Sequence, residues 1–273
     1  MFEEVRKKVR FATAEPVEPL ASPDTAPEHD IVAEAWSKLR QLTLRPSLLD
    51  RNLVITAARR DPAHGAFDVL RAKVFQALAE RKWRRVGITS PTKGCGKSFV
   101  AVNLAVTLSR YEKCRTILMD MDLHVPSVAR KLGVRPPHSM GDFLRGLVAP
   151  DDFLSQVGGK GLAIGPSLAL GLNGKPEPFA AELFHNPCTE EAFGRMEAML
   201  APDVVLMDLP PVLAQDDVLA LKPHLDCVIV VAGGGRTTTR ELQEASHRLG
   251  DALPILGVVL NKAEGEGTRD YSY

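Results

Sequence analysis

The sequence predicts an α/β domain in which a mostly parallel central sheet carries helices on both faces. Three observations lead there. The short runs "RRVGIT", "TILMD", "VVLMD", "CVIVVA" and "ILGVVLN" are β-branched and continuous rather than alternating, as strands buried on both faces require. Stretches of helical length separate them, the alternation from which parallel sheets are built. A glycine-rich turn, "SPTKGCGKS", joins one of these strands to an apolar helix.

The elements follow in order. "MFEEVRKKVRF" places Phe2, Val5 and Val9 near helical spacing, which suits either an amphipathic docking helix or a solvated terminus. Residues 13–29 are rich in proline (Pro16, Pro19, Pro23, Pro27) without apolar periodicity, and read as a flexible linker. Residues 31–43 form a small helix with Trp36 and Leu39 on one side. From residue 53 the pattern becomes regular: a strand "NLVIT", a helix over 64–81, the strand "RRVGIT", and after the glycine-rich turn the helix "KSFVAVNLAVTLSRY". Further helices are expected near 126–131, 140–147, 189–199, 214–223 and 236–249. The chain thus divides into a largely flexible segment over 1–51, a globular domain over 52–262, and a mobile tail over 263–273 with Tyr271 and Tyr273.

Composition narrows the function. With 34 Lys plus Arg against 34 Asp plus Glu, no global field favours nucleic acid or an anionic membrane. Cys95, Cys114, Cys188 and Cys227 lack metal-ligand spacing and suit reduced thiols of a cytoplasmic protein. No apolar run approaches the length of a membrane span, and the start lacks the apolar stretch of a signal peptide.

The glycine-rich turn has the parts of a phosphate cradle. Gly94 and Gly96 let backbone N–H groups converge on phosphate oxygens, and the helix starting near Lys97 adds its positive end. The Lys97 ammonium reaches β and γ phosphates, and Ser98 offers a hydroxyl to Mg²⁺. Pro91 stands where the usual pattern has its first glycine. Strand, loop and helix together define a P-loop NTPase fold. "TILMDMDLHVPSV" then ends a strand in Asp120 and Asp122, whose spacing in an extended segment sets both carboxylates on one side, fit for Mg²⁺ or for taking a proton. Alone, the pair equally serves loop solvation or helix capping. "VVLMDLPP" ends another buried strand in Asp208, placed as an outer ligand of a phosphate-bound metal.

"SPTKGCGKS", "ILMDMDLHVPSVARKLG" and "VVLMDLPPVLAQDDVLAL" resemble the Walker A, Walker A′ and Walker B blocks of the bacterial tyrosine kinases of capsule and exopolysaccharide production. The likeness extends over residues 52–262 and takes in "PFAAELF" and "ILGVVLNK". It implies that ATP with Mg²⁺ sits on Thr92, Lys93, Gly94, Cys95, Gly96, Lys97, Ser98 and Phe99. Ser98, Asp122 and Asp208 would organise the metal, and Asp120 would be the base for a tyrosine hydroxyl. Asn261 would read the adenine edge, or else cap a turn. Tyr271 and Tyr273 would be phosphate acceptors. The resemblance further implies a membrane-anchored polysaccharide co-polymerase as activator, recruitment to the inner face of the cell membrane, and self-association.

Some positions depart from the pattern. Where relatives carry the acidic and basic residues that assemble rings, this chain has Gly65, Asp68 and Arg71, and His124 replaces an arginine after the paired acids. Cys95, at a helix N-terminus, is expected either to be a modifiable thiolate that controls nucleotide binding or simply a small residue that fits. Two other functions stay open: an ATP-binding switch that phosphorylates nothing, and a partition-type ATPase, although the signature lysine of the latter aligns with Thr92 and not Lys93.

Overall fold

The computed structural model describes residues 26–57, 64–111, 113–158, 162–250 and 253–263. The N-terminal segment, most of the proline-rich stretch, and the tail with Tyr271 and Tyr273 lie outside the described residues. Eight strands form one sheet: β1 (Arg40–Thr43), β2 (Arg85–Thr89), β3 (Thr116–Asp120), β4 (Ser155–Gly158), β5 (Leu168–Gly171), β6 (Val204–Asp208), β7 (Cys227–Gly233) and β8 (Ile255–Asn261). Their order is β1-β4-β5-β3-β6-β2-β7-β8. All neighbours run parallel except β4 and β5.

The helices are α1 (Ala26–Lys38), α2 (Pro46–Arg51), α3 (His64–Arg81), α4 (Lys97–Leu108), α5 (Val128–Leu132), α6 (Met140–Leu144), α7 (Pro150–Phe153), α8 (Ala180–Phe184), α9 (Pro187–Leu200), α10 (Asp217–Ala220) and α11 (Thr239–Leu249). They make two cores, one on each face of the sheet, and successive strand residues serve them in turn. Ile117 and Met119 face the core of α6 to α11, whereas Leu118 joins that of α3 to α5; Val205 and Leu206 divide the same way. A period-2 strand covered on both faces needs apolar side chains at every position, which explains the unbroken runs. Helix α4 lies between the sheet and α3, so ten of its twelve residues are buried.

Three parts of the sequence reading change. "NLVIT" is not a strand: Leu53 takes a left-handed φ of 60° and Ile55–Ala57 form a 3-10 turn. Asn103 on α4 imposes this, because its Oδ1 accepts from Thr56 N (3.1 Å) and Thr56 Oγ1 (2.9 Å). The expected helix over 31–43 ends at Lys38, and residues 40–43 become the edge strand β1. Residues 31–51 are therefore not a flexible lead-in. Trp36 and Leu39 are buried, and Trp36 Nε1 donates to Leu200 O at 2.7 Å. Strands β4 and β5 were not foreseen; "LALG" has no β-branched residue and only four positions. Among the described residues no helix is long and apolar enough to cross a membrane.

Candidate nucleotide site

The site forms where β2, β3 and β6 end together. The loop after β2 turns back through Gly94 (φ 84°) and Gly96 (φ 98°), a region that L side chains rarely enter. A Cβ on Gly96 would also stand 2.1 Å from Asn261 Nδ2. Position 91 makes no such demand. Pro91 keeps an ordinary φ and its carbonyl accepts from Leu213 N at 3.1 Å, so the missing glycine costs the loop nothing.

Asp120 and Asp208 are directly opposed in the β3–β6 register and neither is exposed to solvent. Asp120 Oδ2 accepts from Ser127 N and Val128 N, both at 2.9 Å. Asp120 Oδ1 and both oxygens of Asp208 are buried without a hydrogen-bond partner. Burial, followed by the neighbouring Asp208, holds the Asp120 carboxyl well above the usual carboxylate range. Burial likewise raises Asp208 to about 6, against the opposing pull of Lys97.

Lys97 is the charge that keeps these acids together. Its Nζ lies 2.8 Å from Asp122 Oδ2 and 3.8 Å from Asp208 Oδ1. Burial works to lower the Lys97 pKa, but Asp208 and Asp122 outweigh it and the ammonium is held above its ordinary value. Asp122 Oδ1 also accepts from Val125 N at 3.1 Å. Ser98 Oγ accepts from Ser127 Oγ at 2.7 Å, tying the phosphate loop to the segment behind Asp120.

Orphaned oxygens on opposed, buried carboxylates are what a divalent cation would satisfy. Among the described residues no cluster of three or more His, Cys, Asp or Glu forms a complete metal cage. A Mg²⁺ ion held through one or two carboxylates, with the other ligands from phosphates and water, fits that partial donor set.

Thr92 is part-buried and Lys93 exposed on the loop. The Phe99 ring packs edge-on against Phe67, with centroids 5.6 Å apart. Asn261 Nδ2 donates to Cys95 O at 2.9 Å, so its donor group braces the loop. Burial opposes ionisation of Cys95, but hydrogen bonds from Thr237 and Thr92 outweigh it and its pKa is lowered. The reading of Cys95 as an accessible, modifiable thiol is nevertheless corrected: the residue is 0% exposed, and Sγ donates to Thr92 O at 3.2 Å. His124 Nε2 lies 3.0 Å from Asp217 Oδ2, an ion pair when the ring is protonated.

On α3, Asp68 faces His64 (3.2 Å), Arg71 (3.5 Å) and Arg110 (3.7 Å). The Arg71 guanidinium stacks 4.5 Å from the Tyr111 ring centroid and donates to Thr107 O. Gly65 is exposed.

Sequence reasoning did not single out Ser127, Lys262 or Arg236. "PSV" and "LNK" were the available signals for the first two. Lys262 Nζ donates to Gly94 O at 3.0 Å.

A parallel sheet with a glycine loop, an invading lysine and two strand-end acids defines a P-loop nucleotide-binding domain. The chain belongs to the CobQ/CobB/MinD/ParA nucleotide-binding domain family, whose model matches residues 86–272. Within it, the chain is similar to bacterial tyrosine kinases. It is 27% identical over 234 residues to tyrosine-protein kinase YwqD of Bacillus subtilis, covering 84% of this chain and 93% of that protein. It is 26% identical over 269 residues to tyrosine-protein kinase wzc of Salmonella typhi, covering 93% of this chain but 36% of that longer protein. The BceF tyrosine kinase domain superposes with a TM-score of 0.65 at 25% identity, covering 89% of this chain and 91% of that one. The Escherichia coli ETK kinase domain shares the fold, with a TM-score of 0.69 at 22% identity over 80% of this chain and 83% of that one.

Proposed function

We propose that the protein is an ATP- and Mg²⁺-dependent protein-tyrosine kinase that phosphorylates its own tail and regulates capsular or exopolysaccharide production. The observation that carries this is the buried trio of Asp120, Asp208 and Asp122 gathered around Lys97 at the mouth of a glycine loop, in a chain whose relatives are tyrosine kinases. What bound ATP–Mg²⁺ supplies is a phosphoryl group whose charge is already partly neutralised. Positioning and charge are then the protein's share. Ser98, Asp122 and Asp208 would hold the cation. Lys97, released from its carboxylates, stabilises charge on the phosphates. Asp120, whose raised pKa favours accepting a proton and whose Oδ1 is uncommitted, takes the proton of the attacking tyrosine hydroxyl. Tyr271 and Tyr273 are the acceptors, and a membrane-anchored polysaccharide co-polymerase completes the site and recruits the kinase to the inner face of the cell membrane.

A second reading is favoured by one feature. Asp68 and Arg71, at positions where relatives carry ring-assembling charges, are engaged inside the chain with Arg110, Thr107 and Tyr111. A chain that does not assemble through α3 would act as a nucleotide-dependent switch on its partner. Purified protein incubated with ATP–Mg²⁺, with and without membranes from its source, separates the two by mass spectrometry of the C-terminal peptide. Phosphate on Tyr271 or Tyr273 supports the kinase; unmodified tyrosines in a protein that binds ATP support the switch.

A further inference from the structure

The strand order divides the end of the sheet that carries the site. Asp120 and Asp208 stand on β3 and β6, to one side of β2, while β7 and β8 lie to the other. The turns after β7 and β8 close on the phosphate loop from that second side. Gly234 N donates to Asn261 O at 2.7 Å, Gly233 N donates to Thr237 Oγ1 at 2.8 Å, and Thr237 Oγ1 lies 3.4 Å from Cys95 Sγ. No space is left over: a Cβ on Gly233 would stand 3.3 Å from Cys95 Cα, and one on Gly234 2.5 Å from Lys262 O. The turn is held on both flanks.

So held, it aims Arg236 at Gly94. A Cβ built on Gly94 would meet Arg236 Cζ at 2.9 Å and the two terminal nitrogens at 3.1 Å each. Three nearly equal distances mean that the guanidinium lies face-on to the glycine, with its N–H edges turned elsewhere. Lys262 reaches the same glycine and donates to its carbonyl. Two cations converge on one residue of the loop, and among the described residues neither makes an ion pair with a carboxylate. Glu241, the acid whose pKa responds to Arg236, is committed to the capping box with Thr238. Like charges gathered on one glycine are stabilised when an anion joins them, and a planar guanidinium whose edges make no hydrogen bond among the described residues suits phosphate.

We infer that Arg236, together with Lys262, binds the nucleotide on the side of the loop away from Asp120 and Asp208, at the phosphate nearest the nucleoside. This rests on the nucleotide reading above. The acids mark the reacting end, so Arg236 serves the part that ATP and ADP share and fixes affinity for both.

The test is calorimetric titration of the full chain with ATP and with ADP, each with Mg²⁺, for the parent, Arg236→Ala, Arg236→Gln and Arg236→Lys. Arg236 is exposed, so folding is not at stake. Loss of a charge-assisted hydrogen bond is expected to weaken both nucleotides by about tenfold in the Ala and Gln variants, with partial recovery in Lys. Affinities within about twofold of the parent, tighter binding, or weakening of ATP alone would each overturn the inference. Lys97→Met is the control for the parent reading. If the parent binds ATP and Lys97→Met does not, the nucleotide site stands and the Arg236 result judges this inference alone; a parent that binds neither nucleotide overturns both.

Discussion

Asp208→Asn is expected to stabilise the nucleotide-free protein while abolishing its function. Burial raises the Asp208 carboxyl from 3.8 to about 6. That is a displacement of about two pH units at about 1.4 kcal/mol each, so an ionised Asp208 costs the fold roughly 3 kcal/mol. Asparagine has the same shape without the charge; its imperfectly bonded amide takes back about 1 kcal/mol, leaving a gain on the order of 2 kcal/mol. The gain depends on pH in a definite sense. Below about pH 4 the aspartate is protonated in folded and unfolded chains alike, and the substitution is nearly neutral. Between about 4 and about 6 the unfolded chain releases its proton while the folded chain keeps it, so the parent loses stability as pH rises and the variant does not. Urea unfolding of metal- and nucleotide-free protein at pH 5 and pH 7.5 measures this. A variant that is less stable than the parent at pH 7.5, or equally favoured at both pH values, would refute the reasoning.

Three other perturbations follow from the same geometry. Lys97→Met leaves Asp122 and Asp208 buried without their cation; the nucleotide-free protein is expected to lose about 3 kcal/mol at pH 7.5 and less at pH 5, where Asp208 is protonated, as read by denaturant midpoints. Gly96→Ala forces a side chain into a left-handed φ and onto Asn261 Nδ2; it should cost at least about 1 kcal/mol and eliminate nucleotide binding, measured by thermal unfolding and titration. Cys95, fully buried, is expected to resist alkylation in folded protein, while the partly exposed Cys188 reacts promptly; peptide mass spectrometry after a brief pulse of iodoacetamide shows which thiol is labelled.

The sequence made the centre of this molecule legible and its margins less so. Strands β2, β3, β6 and β7 were readable because burial on both faces leaves a continuous apolar signature; β8 carries a similar apolar run but is an edge strand, with Val258 and Leu260 exposed rather than covered. Strands β1, β4 and β5 were not readable, since each has only four residues and is fixed by its neighbours in the sheet. "NLVIT" misled because Thr56 is held by Asn103, 47 positions away. In the site, Lys97 announces itself by its place after the glycine loop and Asp120, Asp122 and Asp208 as acids at or just past strand ends, and the structure brings them together. Ser127, Lys262 and Arg236 lie in ordinary polar turns, and only the approach of those turns to the phosphate loop gives them a role. Cys95 shows the reverse: its place at a helix N-terminus suggested reactivity, and packing against the turn after β7 removes the access that reactivity needs.

If this buried cluster moves phosphate from ATP to tyrosine, phosphotyrosine must depend on both Asp120 and Lys97. Incubating the parent, Asp120→Asn and Lys97→Met with γ-labelled ATP and Mg²⁺, then assaying protein-bound phosphotyrosine, tests it most directly. Label is expected on the parent and absent from both variants. Label that persists in Asp120→Asn would contradict the assigned base, and a parent that binds ATP yet acquires no phosphotyrosine, even with membranes present, would contradict the kinase.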